Sequence, residues 1–322
     1  MKKSFCMLFF LMILGANAQV CIGSPDYFGQ SSKPTKPDQI AKFKSMKTIF
    51  VLSDIFSKDQ YNAILSKYWK VTEFEIITLK EFDANPNKYK QMTHSIAELK
   101  SYVLTTTYTS SSGTKVTNHI FVSLDWYIID EIKEKKGKTQ YKTTTFASVF
   151  FTPDVDTRIQ TEELSLDKVS VNRLQNYKLG YFTNYIQFIN DGLTLNSNFN
   201  CFDESINKEK MKSLKTGTLI LSEEIKKKFK AYQFSSGKDR EITELLEDYK
   251  YKYEVLSEKE IDDKIKNNED FYYLIYSQIN AKKIISIVNS KTGEIIYNVK
   301  DRLSYNIKPN DFKDLNKVLS KL

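Results

Sequence analysis

Lys42-Phe-Lys-Ser-Met-Lys-Thr48 and Lys210-Met-Lys-Ser-Leu-Lys-Thr216 agree at five of seven positions, and the other two exchange one apolar side chain for another. Behind them, Ile49-Phe-Val-Leu-Ser-Asp54 lines up with Thr218-Leu-Ile-Leu-Ser-Glu223 after one inserted Gly217. Each stretch reads as a helix tail, a turn and a buried strand. A second anchor follows in the same order, where Phe74-Glu-Ile-Ile-Thr78 faces Tyr253-Glu-Val-Leu-Ser257. Thr78 stands three residues before Glu81 and Ser257 three before Glu260, the spacing of a capping box, so both runs are expected to end by starting a helix. A repeat distance of about 170 residues lies far beyond solenoid periods and points to a duplicated domain.

Working outward, Ser57 to Trp69 reads as a helix with Ser57 and Gln60 as a capping pair and Tyr61, Ile64, Leu65 and Tyr68 as its apolar stripe. Its counterpart runs from Glu241 to Tyr249, with Ile242, Leu245, Leu246 and Tyr249 on one face. After the second helix each copy turns rich in β-formers, over Ser101–Thr109 and Val116–Leu124 in the first and Phe271–Ile279 and Ile284–Asn289 in the second. Thr139–Phe151 adds a strand to the first copy, and Glu294–Val299 one to the second behind Gly293, which suits a positive-φ turn. The fold class is therefore α/β (α+β), with two divergent copies of a β-α-β-α-β-β unit, each a mixed sheet with helices packed on it. In strand order this unit resembles the small α/β domains of several bacterial envelope assembly proteins, a likeness of topology without a shared motif.

Lys168 to Asn190 reads as a helical connector, with Gly180 weakening its middle. At the amino end, Lys2 and Lys3, the apolar run Phe5–Leu14 and Ala16-Asn17-Ala18 form the pattern of a secretory leader cut before Gln19. The divisions are a signal peptide over 1–18, an irregular lead-in over 19–37, a first unit over 38–157, the connector over 158–204 and a second unit over 205–322. Cleavage leaves Cys21 and Cys201, which can pair in an oxidising compartment or stay as two thiols. Cys21 also allows a lipid anchor, although Ala18-Gln19-Val20 lacks the small residue expected before it. No later apolar run reaches the roughly 18 residues of a membrane span. The expected location is periplasmic or secreted.

Loss of Lys2 and Lys3 takes the formal charge from +8 to +6, too little to name a partner. Ten glycines and no GxGxxG or GxxxxGK[ST] argue against nucleotide binding, and nothing points to nucleic acid. The two histidines, His94 and His119, have no G-x-S-x-G elbow to serve, and neither recurs in the second copy. Asp154, Asp156, Asp262 and Asp263 do not continue into calcium loops, so neither metal nor cofactor is expected. Two features stay open. Lys226, Lys227, Lys228, Lys250 and Lys252, interleaved with aromatics, can form a face for an anionic ligand or simply the wet side of a packed strand. Asp125, Asp130 and Glu131 follow aromatic residues and can serve a carboxylate hydrolase acting on an envelope polymer. The leading expectation is a non-enzymatic binding or assembly protein of the cell envelope with an unidentified envelope component or polymer as partner. A cleft between the units is the place to look for a ligand, and the Lys133–Lys138 hairpin tip is a second contact point.

Overall fold

The computed structural model describes residues 19–26, 31–111, 113–153, 174–230, 235–279, 282–301, 304 and 306–322. The leader, the Asp154–Asp156 pair and the first residues of the expected connector helix lie outside them. The first unit runs β1 (Val20–Ile22), β2 (Ser24–Asp26), β3 (Ser31–Lys33), α1 (Pro37–Lys44), β4 (Lys47–Leu52), α2 (Lys58–Tyr68), β5 (Phe74–Thr78), α3 (Leu79–Ala84), α4 (Pro86–Tyr89), β6 (His94–Ser110), β7 (Gly113–Lys135), β8 (Lys138–Pro153), β9 (Leu174–Gln175) and α5 (Leu179–Thr194). The second runs β10 (Ser205–Ile206), α6 (Lys208–Met211), β11 (Leu219–Ser222), β12 (Phe229–Lys230), β13 (Ser235–Ser236), α7 (Ile242–Leu245), β14 (Tyr253–Leu256), α8 (Glu258–Lys266), β15 (Tyr272–Ile279), β16 (Lys282–Asn289), β17 (Ile295–Asp301) and α9 (Pro309–Ser320).

The two main sheets have one topology. The first is ordered β1-β8-β7-β6-β4-β5 and the second β10-β17-β16-β15-β11-β14. In each, the first long strand is parallel to both neighbours and the following meander is antiparallel. Phe74–Thr78 and Tyr253–Leu256 occupy equivalent edge strands, with Thr48 opposite Phe74 and Leu219 opposite Tyr253. That register shifts the match between β4 and β11 by two residues from the one read along the sequence. A two-residue shift leaves every side chain on the same face of the sheet.

Local chemistry sets the helix starts. Ser57 with Gln60 and Ser257 with Glu260 close reciprocal capping boxes. Thr78 accepts from the Glu81 amide, but the Glu81 carboxylate bonds the Tyr89 hydroxyl instead of returning to the cap. The helix expected over Glu241–Tyr249 is only the four residues of α7, and turns carry Leu246 and Tyr249 into the same apolar face.

Two further expectations change. The segment 19–37 is not irregular throughout, because β1 adds to β8 and β2 pairs with β3. The described part of the connector is the last helix of the first unit, placed as α9 is in the second. It starts at Leu179, and Gly180 lies in its first turn, where a Cβ would come 2.7 Å from the Asp262 carbonyl oxygen of α8. The glycine thus permits a close helix crossing.

In the first unit, α1, α2 and α5 share one sheet face and α3 the other; in the second, α6, α7 and α9 share one and α8 the other. The units stack with unlike faces inward. Phe50, Trp126, Leu65, Phe182 and Ile186 of the first meet Ile220, Ile261, Ile265 and Tyr273 of the second in one apolar core around α5. No helix among the described residues is long and apolar enough to cross a membrane.

Candidate functional site

The inward alternation of β6, β7 and β8 brings polar side chains onto the α3 face of the first sheet. Val51, Glu98, Asp125 and Ser148 stand in register across four strands. Asp125 is 3 % exposed; one carboxylate oxygen meets the Lys100 ammonium at 3.0 Å and the other is buried without a partner. The Ser123 and Ser148 hydroxyls beside it are also buried and unpartnered. Tyr127 donates to Glu98 at 2.6 Å, and the Lys100 ammonium lies 5.1 Å from the Tyr127 ring centroid. Burial works to lower the Lys100 pKa, but Asp125 and Glu98 outweigh it and leave the pKa raised. The ammonium is held charged, the opposite of what a lysine general base requires.

Asp130 is not brought to this cluster. It is the extra residue of a β-bulge in β7, accepts from the Thr144 hydroxyl at 2.6 Å and faces Lys42 of α1 at 3.8 Å. Asp125 therefore lies on the α3 face and Asp130 on the α1 face, and one sugar ring could not lie between them. Glu131 pairs with Lys133 at 3.0 Å. His94 begins β6 with its Nδ1 buried and unpartnered, while the His119 side chain lies outside the described residues. Asp262 accepts from the Gly180 amide at 2.6 Å and pairs with Lys266 at 3.0 Å, and Asp263 pairs with Lys259 and Lys266. Among the described residues no group of three or more His, Cys, Asp and Glu side chains is placed to hold a metal.

Lys226 and Lys227 pair with Glu223 at 3.8 Å and Glu224 at 2.6 Å, and the Lys228 stem packs against Gly237. Lys250 and Lys252 are exposed ahead of β14, while Lys226–Lys228 follow the carboxyl end of β11. β11 and β14 are parallel, so the two lysine groups lie at opposite ends of the sheet. Tyr249, Tyr251 and Tyr253 do gather, with ring centroids 5.8 and 6.2 Å from Tyr249. The Lys133–Lys138 tip is an exposed two-residue turn with positive φ at Lys136 and Gly137.

Where a cleft between the units was expected, the described residues form the apolar core around α5. Elsewhere, in the second unit, the described residues form a cavity of about 370 Å³ between β10, β16, β17 and α9. Its floor is Ile206, Ile285, Val299 and Val318, and its charged lining includes Lys283, Asp311 and Asp314. Lys283 is 1 % exposed, bonds Asp311 at 2.5 Å and donates to the Asn306 carbonyl at 2.9 Å. Burial pushes its pKa down against the pull of Asp311. Sequence reading missed this lysine, although its place two residues before Ile285 on a buried strand is a signal that it points inward.

Cys21 and Cys201 form a disulfide, both fully buried, with their Cα atoms 4.8 Å apart. It joins β1 to the segment preceding the second unit, where Phe199 exchanges backbone hydrogen bonds with Ile22. Gln19 is 1 % exposed; its amide donates to the Tyr185 hydroxyl at 2.6 Å and its carbonyl accepts from Asn176 at 3.1 Å. No family model, curated protein or solved structure matches the chain.

Proposed function

We propose that the chain is an exported, non-enzymatic binding or assembly protein of the bacterial cell envelope, built from two copies of one ancestral unit. The observation that carries this reading is the buried Cys21–Cys201 bond, which suits an oxidising compartment. It agrees with the leader pattern, and Gln19, the expected first residue after cleavage, is already anchored in the core. A sulfur engaged in this bond cannot also carry a thioether-linked lipid, which favours the soluble form over the anchored one. The common strand order and matching helix faces support descent from one unit. The carboxylate-hydrolase reading loses its acid and base, since Asp125 and Asp130 face opposite sides of β7 and Asp125 is tied to Lys100.

The test is to express the chain from Met1 in a Gram-negative host, separate periplasm from cytoplasm, and take intact masses before and after reduction. The expected product is periplasmic, begins at Gln19 and exposes two alkylatable thiols only after reduction. Cytoplasmic protein that retains Met1 and alkylates without reduction would overturn the proposal.

A further inference from the structure

The meander of the first sheet carries a β-ribbon at each end of β7, and the two differ in how their edges are treated. Among the described residues β6 pairs with β4 only over His94–Glu98, and β7 meets β8 only from Val122 on. Beyond those limits β6 and β7 pair with each other alone, in an unshifted register that runs to Ser110 opposite Gly113. The result is a two-stranded arm, with Thr106–Ser110 on one strand and Thr114–Ile120 on the other, reaching past the rest of the sheet. At the opposite end of β7, the turn to β8 makes the Lys133–Lys138 tip.

The Lys133–Lys138 ribbon is guarded. Eight of the thirteen residues from Asp130 to Lys142 are charged, and register shifts at Trp126/Tyr127 and Ile129/Glu131 bend β7 against β8. Charges and bulges are the devices that keep an open strand edge from pairing with another chain. The arm has neither. Lys115 is its only Lys, Arg, Asp or Glu between Val103 and Ile120, no proline occurs there, and its register is unbroken. Thr107, Thr109 and Thr114 are exposed, and Val116, at 60 %, is the most exposed large apolar side chain among the described residues. A ribbon of two strands is marginally stable in water by itself, and an added strand would stabilise it.

The charge pattern selects the partner. The chain carries a formal charge of +8, so two copies repel on approach, and the arm is where that repulsion is least. An acidic partner would gain nothing from an arm with one charged residue. We propose that the arm joins two copies of this chain, the Thr114–Ile120 edge of β7 pairing antiparallel with the same edge of its copy about a two-fold axis. The β7 edge is the one beside Val116, which the added strand covers. In a two-fold interface the central residue meets itself. Centring the pairing on Thr117 sets Val116 of one copy opposite Asn118 of the other. It also leaves the two Lys115 positions roughly 14 Å apart along the strands, four residues at about 3.4 Å each. The inference goes beyond the export reading and does not rest on it, because the chain meets its own copies in any compartment.

The experiment follows the purified full chain by sedimentation over a dilution series. A reversible monomer–dimer equilibrium is expected, with its midpoint in the micromolar range, since a seven-residue edge makes an interface below standard size. The double variant Val116→Lys with Asn118→Lys places lysine opposite lysine twice in the proposed pairing. It should move the midpoint about tenfold or more towards monomer, with an unchanged melting curve confirming that the fold is intact. Thr117→Cys should link two copies through a disulfide under mild oxidation, whereas Lys136→Cys on the guarded tip should not. A chain that stays monomeric throughout, a dimer that the double variant leaves as tight, or linkage as ready at Lys136→Cys as at Thr117→Cys would overturn the proposal. A periplasmic monomer would sink this inference and leave the exported-protein reading standing. A cytoplasmic dimer held by the arm would do the reverse.

Discussion

In the first unit the Lys100 ammonium is the charge partner of the buried Asp125 carboxylate, 3.0 Å away. Replacing Lys100 by Met leaves a carboxylate that is 3 % exposed with no counter-charge. Orphaning a buried charge usually costs about 3–5 kcal/mol. The Lys100 side chain is 35 % exposed and water can reach its end of the pair, so the expected loss is about 2–4 kcal/mol in a urea titration. The double variant Lys100→Met with Asp125→Leu should recover most of that loss. If it proves no more stable than the single variant, the pair is not what the substitution broke. Glu258 offers a pH test. Burial raises its carboxyl pKa, against the attraction of Lys178 at 3.9 Å. A carboxyl with a folded pKa above its unfolded value holds its proton more tightly in the fold. Its contribution is therefore full below the ordinary value of 4.5 and is lost as pH rises through the folded pKa. Glu258→Gln should flatten the fall in stability that begins near that pH, and an unchanged profile would assign the fall to other groups.

Among elements, α8 shows how much a local signal decides. Ser257 and Glu260 satisfy each other's backbone amides at 3.2 and 2.8 Å, so Ser257→Ala should cost about 1 kcal/mol, read as a shift of the urea midpoint at constant slope. Thr78→Ala, which removes only half of such a box, should cost less. If it costs as much as Ser257→Ala, the reciprocal bond to Glu260 adds nothing. Signals of this kind, with the β-former-rich runs of β15 and β16 and the turn at Gly293, were legible along the chain because each needs only near neighbours. The ends of β6 and β7 were underestimated, since their pairing continues well past the apolar stretches that suggested them. β1 was missed because three residues show no period, and its place depends on β8, Phe199 and Cys201, all distant in sequence. The cavity was not visible for the same reason. Ile206, Lys283, Tyr297 and Asp314 come from four elements, and only the fold makes them neighbours.

For the whole molecule, stacking the units with unlike faces inward makes α5 common property: its Phe182, Ile186 and Ile189 join the core that also holds Ile261 and Ile265. Neither unit buries that surface alone, so the chain is expected to unfold in one cooperative transition whose calorimetric and van't Hoff enthalpies agree. Two separate transitions would mean that the shared core is weaker than its apolar content suggests. The sequence match between Lys42–Thr48 and Lys210–Thr216 pointed to two sheets of like strand order but not to their orientation, because each sheet carries apolar residues on both faces.

The Cys21–Cys201 bond also sets how the molecule would bear tension. It closes a covalent ring spanning 180 residues, so a pull on the two ends passes from β1 straight across the sulfurs to the second unit. The first sheet sits inside the ring and is shielded from the load. In single-molecule stretching, the oxidised protein should lengthen only by the chain outside the ring. Reduction should then release a further roughly 600 Å, at about 3.5 Å per residue for the ring's 180 residues. The first unit would thus behave as a spring that only a reducing environment unlatches.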